Sequence, residues 1–317
     1  MRLTLKNLKD KFSQEKFSLG LDIGSHSLKF VVLRFLKAGI ELCNFKIEPI
    51  EANLGQALKG LMQAQKVQKI NTSMSGQSTI IRYVDFPQMS EDELRKALHF
   101  EAPKHIPFLL EEVSLDAHIL KSGLPDNRML VMIAAVKKDF LNTRLRLLEE
   151  AGFKPNIIDM DSLALVNAFN FNYSDDENLR PKTVALLNIG AQIINLTVLA
   201  DNLIPRLSRD IQLKDNMPIQ VQEEARFESM LQAAAGEIRT SFDYYESQGS
   251  SSIHKVFLSG GSSLIPGLKD TLESLLGIEI DYWDAFRRIN IASDIDSGKL
   301  KGKSGQLAVA VGLALRK

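Results

Sequence analysis

One pattern constrains this chain more than any other: strand, polar glycine turn, strand, written twice. It occurs as "LGLDIGSHSLKFVVL" (19–33) and again as "TVALLNIGAQIINLTVLADN" (183–202). Between and after the two copies lie stretches of helical periodicity, so the duplication points to paired α/β halves with buried sheet faces. The chain has 317 residues, enough for one large or two medium domains that need no staples. Cys43 is the single cysteine, which excludes an internal disulfide and fits a reducing compartment.

Charge narrows the functional classes. Lys+Arg and Asp+Glu number 39 each, so no net field draws the chain toward nucleic acid or an acidic membrane. The apolar run "LAVAVGLAL" (307–315) is too short to span a bilayer. "MRLTLKNLKDKFSQEKF" lacks the apolar core of a signal peptide, and a cytoplasmic location is expected. That segment is basic, with Leu3, Leu5, Leu8 and Phe12 at near-helical spacing. It reads as a polar tail or a helix on its own domain, with a membrane-surface helix as the alternative.

Strands are expected at "FSLGLDI", "SLKFVVLRF" and "STIIRYVDF" (78–86), with a helix over 54–69. Ser90 and Glu93 form a capping box ahead of an apolar face made by Leu94, Ala97, Leu98 and Ala102, which Pro103 ends. Strands at 112–120 and 128–136 and a helix over 137–152, stopped at Gly152, complete an α+β insertion over 87–155. After a polar linker at 172–182, a long helix over 225–247 carries Phe227, Leu231, Ala234, Ala235, Ile238, Phe242 and Tyr245 on one stripe.

Three turns carry the chemistry. In the first, Gly24, Ser25, His26 and Ser27 offer converging backbone N–H groups and hydroxyls suited to an anion, and Lys29 adds a mobile positive charge. Asp22 would repel phosphate, so its sensible task is to hold hydrated Mg²⁺ against it. Alone, D-x-G-x-x-x-x-K describes a solvated hairpin equally well. The second turn, Asn188 to Gln192, is placed to clasp the same phosphates from the other side. In the third, "LSGGSSLIP" (258–266), paired glycines allow close approach of a flat ligand.

In this order the turns resemble the phosphate-1, phosphate-2 and adenosine motifs of the actin-like ATPase superfamily. More closely, the chain resembles the PilM family of cytoplasmic, actin-like type IV pilus assembly proteins. The matching stretches are "LGLDIGSHSLKFVVL", "MSEDELRKALHFEAPKHIPFLLEEVSLD", "EAGFKPNIIDMDSLALVNAF", "GEIRTSFDYYESQG", "VFLSGGSSLIPGL" and "LAVAVGLALRK". The middle stretch resembles the small subdomain that this family shares with the cell-division protein FtsA.

The resemblance implies an α/β, two-lobed actin-like fold with duplicated ribonuclease-H-like lobes. Its expected divisions are a tail over 1–16, a first lobe (1A) over 17–86 closed by a helix over about 304–317, a 1C-like insertion over 87–155, and a second lobe (2A) over 156–303 with a small 2B over about 205–250. It implies ATP with Mg²⁺: Asp22 on the metal through water; Gly24, Ser25, His26, Ser27 and Lys29 on phosphate; Asn188, Gly190 and Ala191 as the opposing clasp. Glu237 would contact ribose or adenine, and Gly260, Gly261 and Ser262 would pack on adenosine. Asn188 stands where the family usually has aspartate, so slow hydrolysis at most is expected.

The implied role is a scaffold peripheral to the inner membrane. It would bind the N-terminal cytoplasmic tail of a PilN-like partner, couple it to motor ATPases and self-associate weakly. The tail's groove is expected near 82–86 and 104–116, where "HIPF" (105–108) reads equally as core. Two alternatives are an FtsA-like, filament-forming membrane tether and an adaptor whose pocket is kept only for shape. A small-molecule kinase would need a carboxylate base, for which only Asp159 and Asp161 come forward, and the strand-to-helix connection explains both better.

Overall fold

The computed structural model describes residues 16–316 apart from 52, 66–68 and 218–223. The expected tail therefore lies, but for its last residue, outside the described residues. The first copy of the sequence pattern folds as β1 (Lys16–Ile23), β2 (Ser27–Leu36) and β3 (Gly39–Pro49), an antiparallel meander. β4 (Lys69–Met74) and β8 (Lys154–Met160) add in parallel on the far side of β1. The second copy repeats the arrangement: β9 (Val184–Ile189), β10 (Ile193–Ala200) and β11 (Ile204–Gln212) form the meander. β12 (Lys255–Ser259) and β13 (Ile280–Tyr282) then continue in parallel beyond β9. The sheet orders, β14-β3-β2-β1-β4-β8 and β11-β10-β9-β12-β13, differ only by β14 (Asn290–Ile291) on the first edge. The duplication is thus structural.

Both sheets bury their two faces. One face of the first packs on α1 (Leu54–Gln65) through Leu58 and Leu61, and on Leu148 of α3 (Lys138–Glu150). Its other face meets α4 (Asp161–Tyr173) and α7 (Ser304–Ala314), two helices buried nearly all round. Their crossing is close: a Cβ on Gly312 would stand 1.8 Å from the Ala164 carbonyl oxygen, and α7 lies as close on β1, where a Cβ on Gly20 would stand 2.0 Å from the Ala310 carbonyl oxygen. The second sheet packs on α5 (Glu224–Ser247) and α6 (Leu268–Leu276), with the whole expected stripe from Phe227 to Tyr245 buried.

The insertion is a three-stranded sheet, β5 (Thr79–Pro87), β7 (Arg128–Lys137) and β6 (Val113–Leu124), covered by α2 (Glu91–Glu101). The Ser90–Glu93 capping box forms at its helix start, and Gly152 takes the left-handed φ of +92° after α3. The insertion's limits differ from the sequence reading. β5 belongs to the inserted sheet, while α3 and β8 belong to the first lobe, so the unit runs over 79–137 rather than 87–155. No separate 2B body forms among the described residues of 205–250: β11 is the edge of the second sheet and α5 packs against its face. No helix among the described residues is long and apolar enough to cross a membrane.

Candidate functional site

The β1–β2 turn is closed by the Gly24 N–H donating to the Ser27 carbonyl at 3.1 Å. Antiparallel register then places Asp22 directly opposite Lys29, on one face of the sheet. The Lys29 ammonium donates to Asp22 Oδ2 at 3.0 Å, and Asp22 is buried. A Cβ on Gly24 would lie 2.8 Å from Lys29 Nζ, so the glycine keeps a path open for the amine. Ser25 and His26 are exposed at the tip, with Ser25 Oγ 3.1 Å from His26 Nδ1.

Across the cleft, the Gly190 N–H donates to the Ile193 carbonyl at 2.9 Å. Asn188 heads a ladder of cross-strand neighbours. Its Nδ2 donates to Asn195 Oδ1 at 2.8 Å, and Asn195 Nδ2 donates to Asp210 Oδ1 at 2.7 Å. The other Asp210 oxygen accepts from the Gly76 N–H at 2.6 Å and from the Thr79 hydroxyl at 3.4 Å. Burial raises the pKa of Asp210, and these donors hold it back. An ionised carboxylate only accepts, so Asp210 fixes which way each amide points. Asn188 Oδ1 is left to accept from the Ser259 hydroxyl at 3.4 Å.

The third turn supplies the roof. Gly260 has φ +97°, and a Cβ there would stand 2.3 Å from the Ile189 carbonyl oxygen. The residue is required for β9 and β12 to end side by side, and it lies behind the wall rather than on it. Gly261, Ser262, Leu264, Ile265 and Pro266 face the space.

Together the three turns bound a cleft of about 830 Å³ between the lobes. Asp22, Gly24, Ser25, His26, Ser27, Lys29, Asn188, Gly190, Ala191, Gly261 and Ser262 line it. Glu237 does not reach it. Its carboxylate takes a 2.7 Å ion pair from Arg209 on the exposed face of α5, because the helix turns its apolar stripe, not this position, inward.

Ser73, Ser75, Arg144, Asn195 and Gln306 are among the lining residues that had no sequence signal. Asp161 also faces the cleft and accepts the Ser73 hydroxyl at 2.5 Å. Burial and the nearby Asp22 charge push its carboxyl up to about 6. Asp159 is committed elsewhere, accepting from Arg316 Nε at 2.7 Å. Arg144 reaches in from α3; burial lowers its pKa, and its Nη1 is buried with no hydrogen-bond partner among the described residues.

The residues fit a nucleotide with Mg²⁺. The volume lies within the range of ligand pockets, Gly24 leaves room for the Lys29 amine, and a buried guanidinium nitrogen lacks an acceptor. No cluster of three His, Cys, Asp or Glu exists among the described residues, and Mg²⁺ needs none, since it binds through one or two carboxylates, waters and phosphate.

A family model described as type IV pilus assembly protein PilM matches residues 20–206 and 208–317. The chain is similar to a solved structure of a PilM-PilN type IV pilus biogenesis complex, with TM-score 0.80 and 23% identity, covering 94% of this chain and 98% of that one. It is also similar to a Bacteroides thetaiotaomicron protein with actin-like ATPase fold and unknown function, with TM-score 0.50 and 12% identity, over 94% of this chain and 95% of that one. The fold is that of the actin-like ATPases.

Proposed function

The chain belongs to the PilM family of type IV pilus assembly proteins, and from that premise we propose that it is a nucleotide-binding scaffold. It binds Mg-ATP between its lobes and presents its insertion to the cytoplasmic tail of a PilN-like inner-membrane protein. In this reading it is cytoplasmic, peripheral to the membrane through its partner, linked to motor ATPases and weakly self-associating. The observation that carries the nucleotide reading is the convergence of three separate turns on one cleft with Asp22 and Lys29 at its floor. Support for the partner comes from the family and from the PilM-PilN complex that shares the fold.

Lys29 is held on Asp22 until a stronger acceptor arrives. A phosphate oxygen would compete with Asp22 for the Lys29 ammonium, and Asp22 would be the carboxylate placed to hold hydrated Mg²⁺. When bound, Mg²⁺ neutralises phosphate charge. Asn188 brings no carboxylate to the opposite wall, and its amide is engaged with Asn195 and Ser259. Among the described residues that wall brings no carboxylate to the cleft, and Asp161 on the first-lobe side is engaged by the Ser73 hydroxyl, so this reading is of ATP held rather than rapidly split.

On the insertion, Ile106 and Val113 are core residues and unavailable to a partner, whereas Leu109 is 60% exposed within the expected stretch 104–116. Arg82 Nε donates to the His105 carbonyl at 3.2 Å and fixes that stretch against β5. An apolar tail residue would cover Leu109 and its surroundings.

Calorimetric titration of ATP, with and without Mg²⁺, into wild type and Lys29→Ala tests the reading. Micromolar, Mg²⁺-dependent binding that Lys29→Ala abolishes is expected. A folded wild type that binds no nucleotide would make the protein a pure adaptor.

A further inference from the structure

Among the cleft-lining residues described, Lys29 and Arg144 are the two permanent cations, and they differ in state. Lys29 is neutralised by Asp22 at 3.0 Å. Arg144 makes no ion pair with either cleft carboxylate among the described residues, although the charges of Asp161 and Asp22 both act on it. Asp161 is occupied by the Ser73 hydroxyl instead. A guanidinium nitrogen removed from water without an acceptor is costly, and the two carboxylate charges that act on Arg144 give its Nη1 no hydrogen bond among the described residues. The side chain is therefore arranged for an acceptor that the protein itself does not supply.

The place selects the acceptor. Arg144 stands on α3, next to Phe140, on the first-lobe wall made by Asp22, Ser73, Ser75 and Asp161. The turn at Gly261–Pro266, suited to a base and sugar, lies on the second lobe. Asp22, the residue assigned to the metal, and Asp161 lie near enough to Arg144 for their charges to act on it, so in the nucleotide reading the phosphate end of the ligand falls on the Arg144 side. Guanidinium offers a planar fork of donors that matches two phosphate oxygens at once.

Resting on the nucleotide reading above, we infer that Arg144 reads the terminal phosphate and sets a preference for nucleoside triphosphate over diphosphate. A diphosphate ends short of the guanidinium and leaves it as it is in the ligand-free protein. A triphosphate reaches it.

The test is calorimetric binding of Mg-ATP and Mg-ADP to the full chain in wild type, Arg144→Met and Arg144→Lys. Arg144→Met is expected to weaken Mg-ATP by about tenfold or more while leaving Mg-ADP within about twofold. Arg144→Lys keeps the charge without the fork and is expected to fall between. Because Met removes an unsatisfied buried nitrogen, ligand-free Arg144→Met is expected to melt no lower than wild type. If Arg144→Met fails to fold, the ATP-to-ADP ratio of Arg144→Lys decides. An unchanged ratio, or equal loss for both nucleotides, overturns the assignment of Arg144 alone. A wild type that binds neither nucleotide overturns the cleft reading and this inference together.

Discussion

Asn188 shows how a single atom's change is enforced by its neighbours. Restoring aspartate at this position looks from sequence like repair of a metal-facing acid. The ladder says otherwise: the carboxylate introduced by Asn188→Asp would face Asn195 Oδ1, an acceptor, and turning Asn195 over would set its oxygen against Asp210. Asn188→Asp is therefore expected to cost about 1–3 kcal/mol in urea unfolding and to gain no rapid ATP hydrolysis. Full stability with brisk turnover would contradict the ladder. Asp161 makes a second case at this scale. Its folded pKa of about 6 stands above its ordinary 3.8, so the folded state binds the proton more tightly between those values. Stability falls as pH rises through that window, and the penalty is complete above about 6. Asp161→Asn keeps an acceptor for Ser73 and removes the charge. It is expected to stabilise the ligand-free protein at pH 7.5 by about 1–2 kcal/mol, after screening by cleft water, and to flatten the dependence of melting temperature on pH between 4 and 6. An unaltered profile would show that the carboxyl titrates normally.

At the scale of elements, legibility followed punctuation. The three cleft turns were readable because glycine and hydroxyl residues interrupt apolar runs at fixed places, and the α2 start was readable because Ser90 and Glu93 satisfy each other's N–H. β4 was not. Its "NTS" centre looks like a loop, yet Asn71, Thr72 and Ser73 are all buried, with Asn71 donating to the Leu313 carbonyl at 3.1 Å and Thr72 to that of Leu21 at 2.8 Å. Polar residues satisfied by distant backbone carry no local period. Arg144 escaped for a related reason: in "NTRLRLLEE" two arginines share a charged helix, and only packing of Leu148 into the first-lobe core decides which one turns to the cleft. Glu237 was misplaced because chain position says nothing of the rotation of α5. The small-residue texture of α7 was informative, and it yields a sharp expectation. Gly312→Ala sets a Cβ 1.8 Å from the Ala164 carbonyl oxygen, where no side-chain rotation helps, so α4 and α7 must separate. A loss of about 3 kcal/mol or more, or failure to fold, is expected in chemical denaturation. Gly236→Ala, with open space around its Cβ on α5, is the control and should melt no lower than wild type.

For the whole molecule, the question is whether events in the cleft reach the insertion. The insertion touches the second lobe along β5 and β11, where the buried Tyr83 hydroxyl lies 2.8 Å from Ser208 Oγ. At the root of β5, Gly76 and Thr79 both donate to Asp210, the end of the ladder that starts at Asn188 in the cleft wall. The insertion is thus bonded to the second lobe while its strands β5 and β7 are covalently continuous with first-lobe elements β4 and α3. A ligand that draws the two lobes together must move one attachment of the insertion relative to the other. By linkage, whatever the nucleotide does to partner affinity, the partner does to nucleotide affinity by the same factor. Mg-ATP is expected to change the affinity for a peptide of the PilN-like cytoplasmic tail by about fivefold, near the lower end of common couplings. Tyr83→Phe removes one attachment without opening a cavity, and it should shrink that ratio while leaving peptide affinity in the absence of nucleotide nearly unchanged. Fluorescence anisotropy of a labelled peptide, run with and without saturating Mg-ATP on both proteins, reads all four affinities. Equal affinities with and without nucleotide in wild type would mean that cleft and insertion act independently, and the ladder would then serve stability alone.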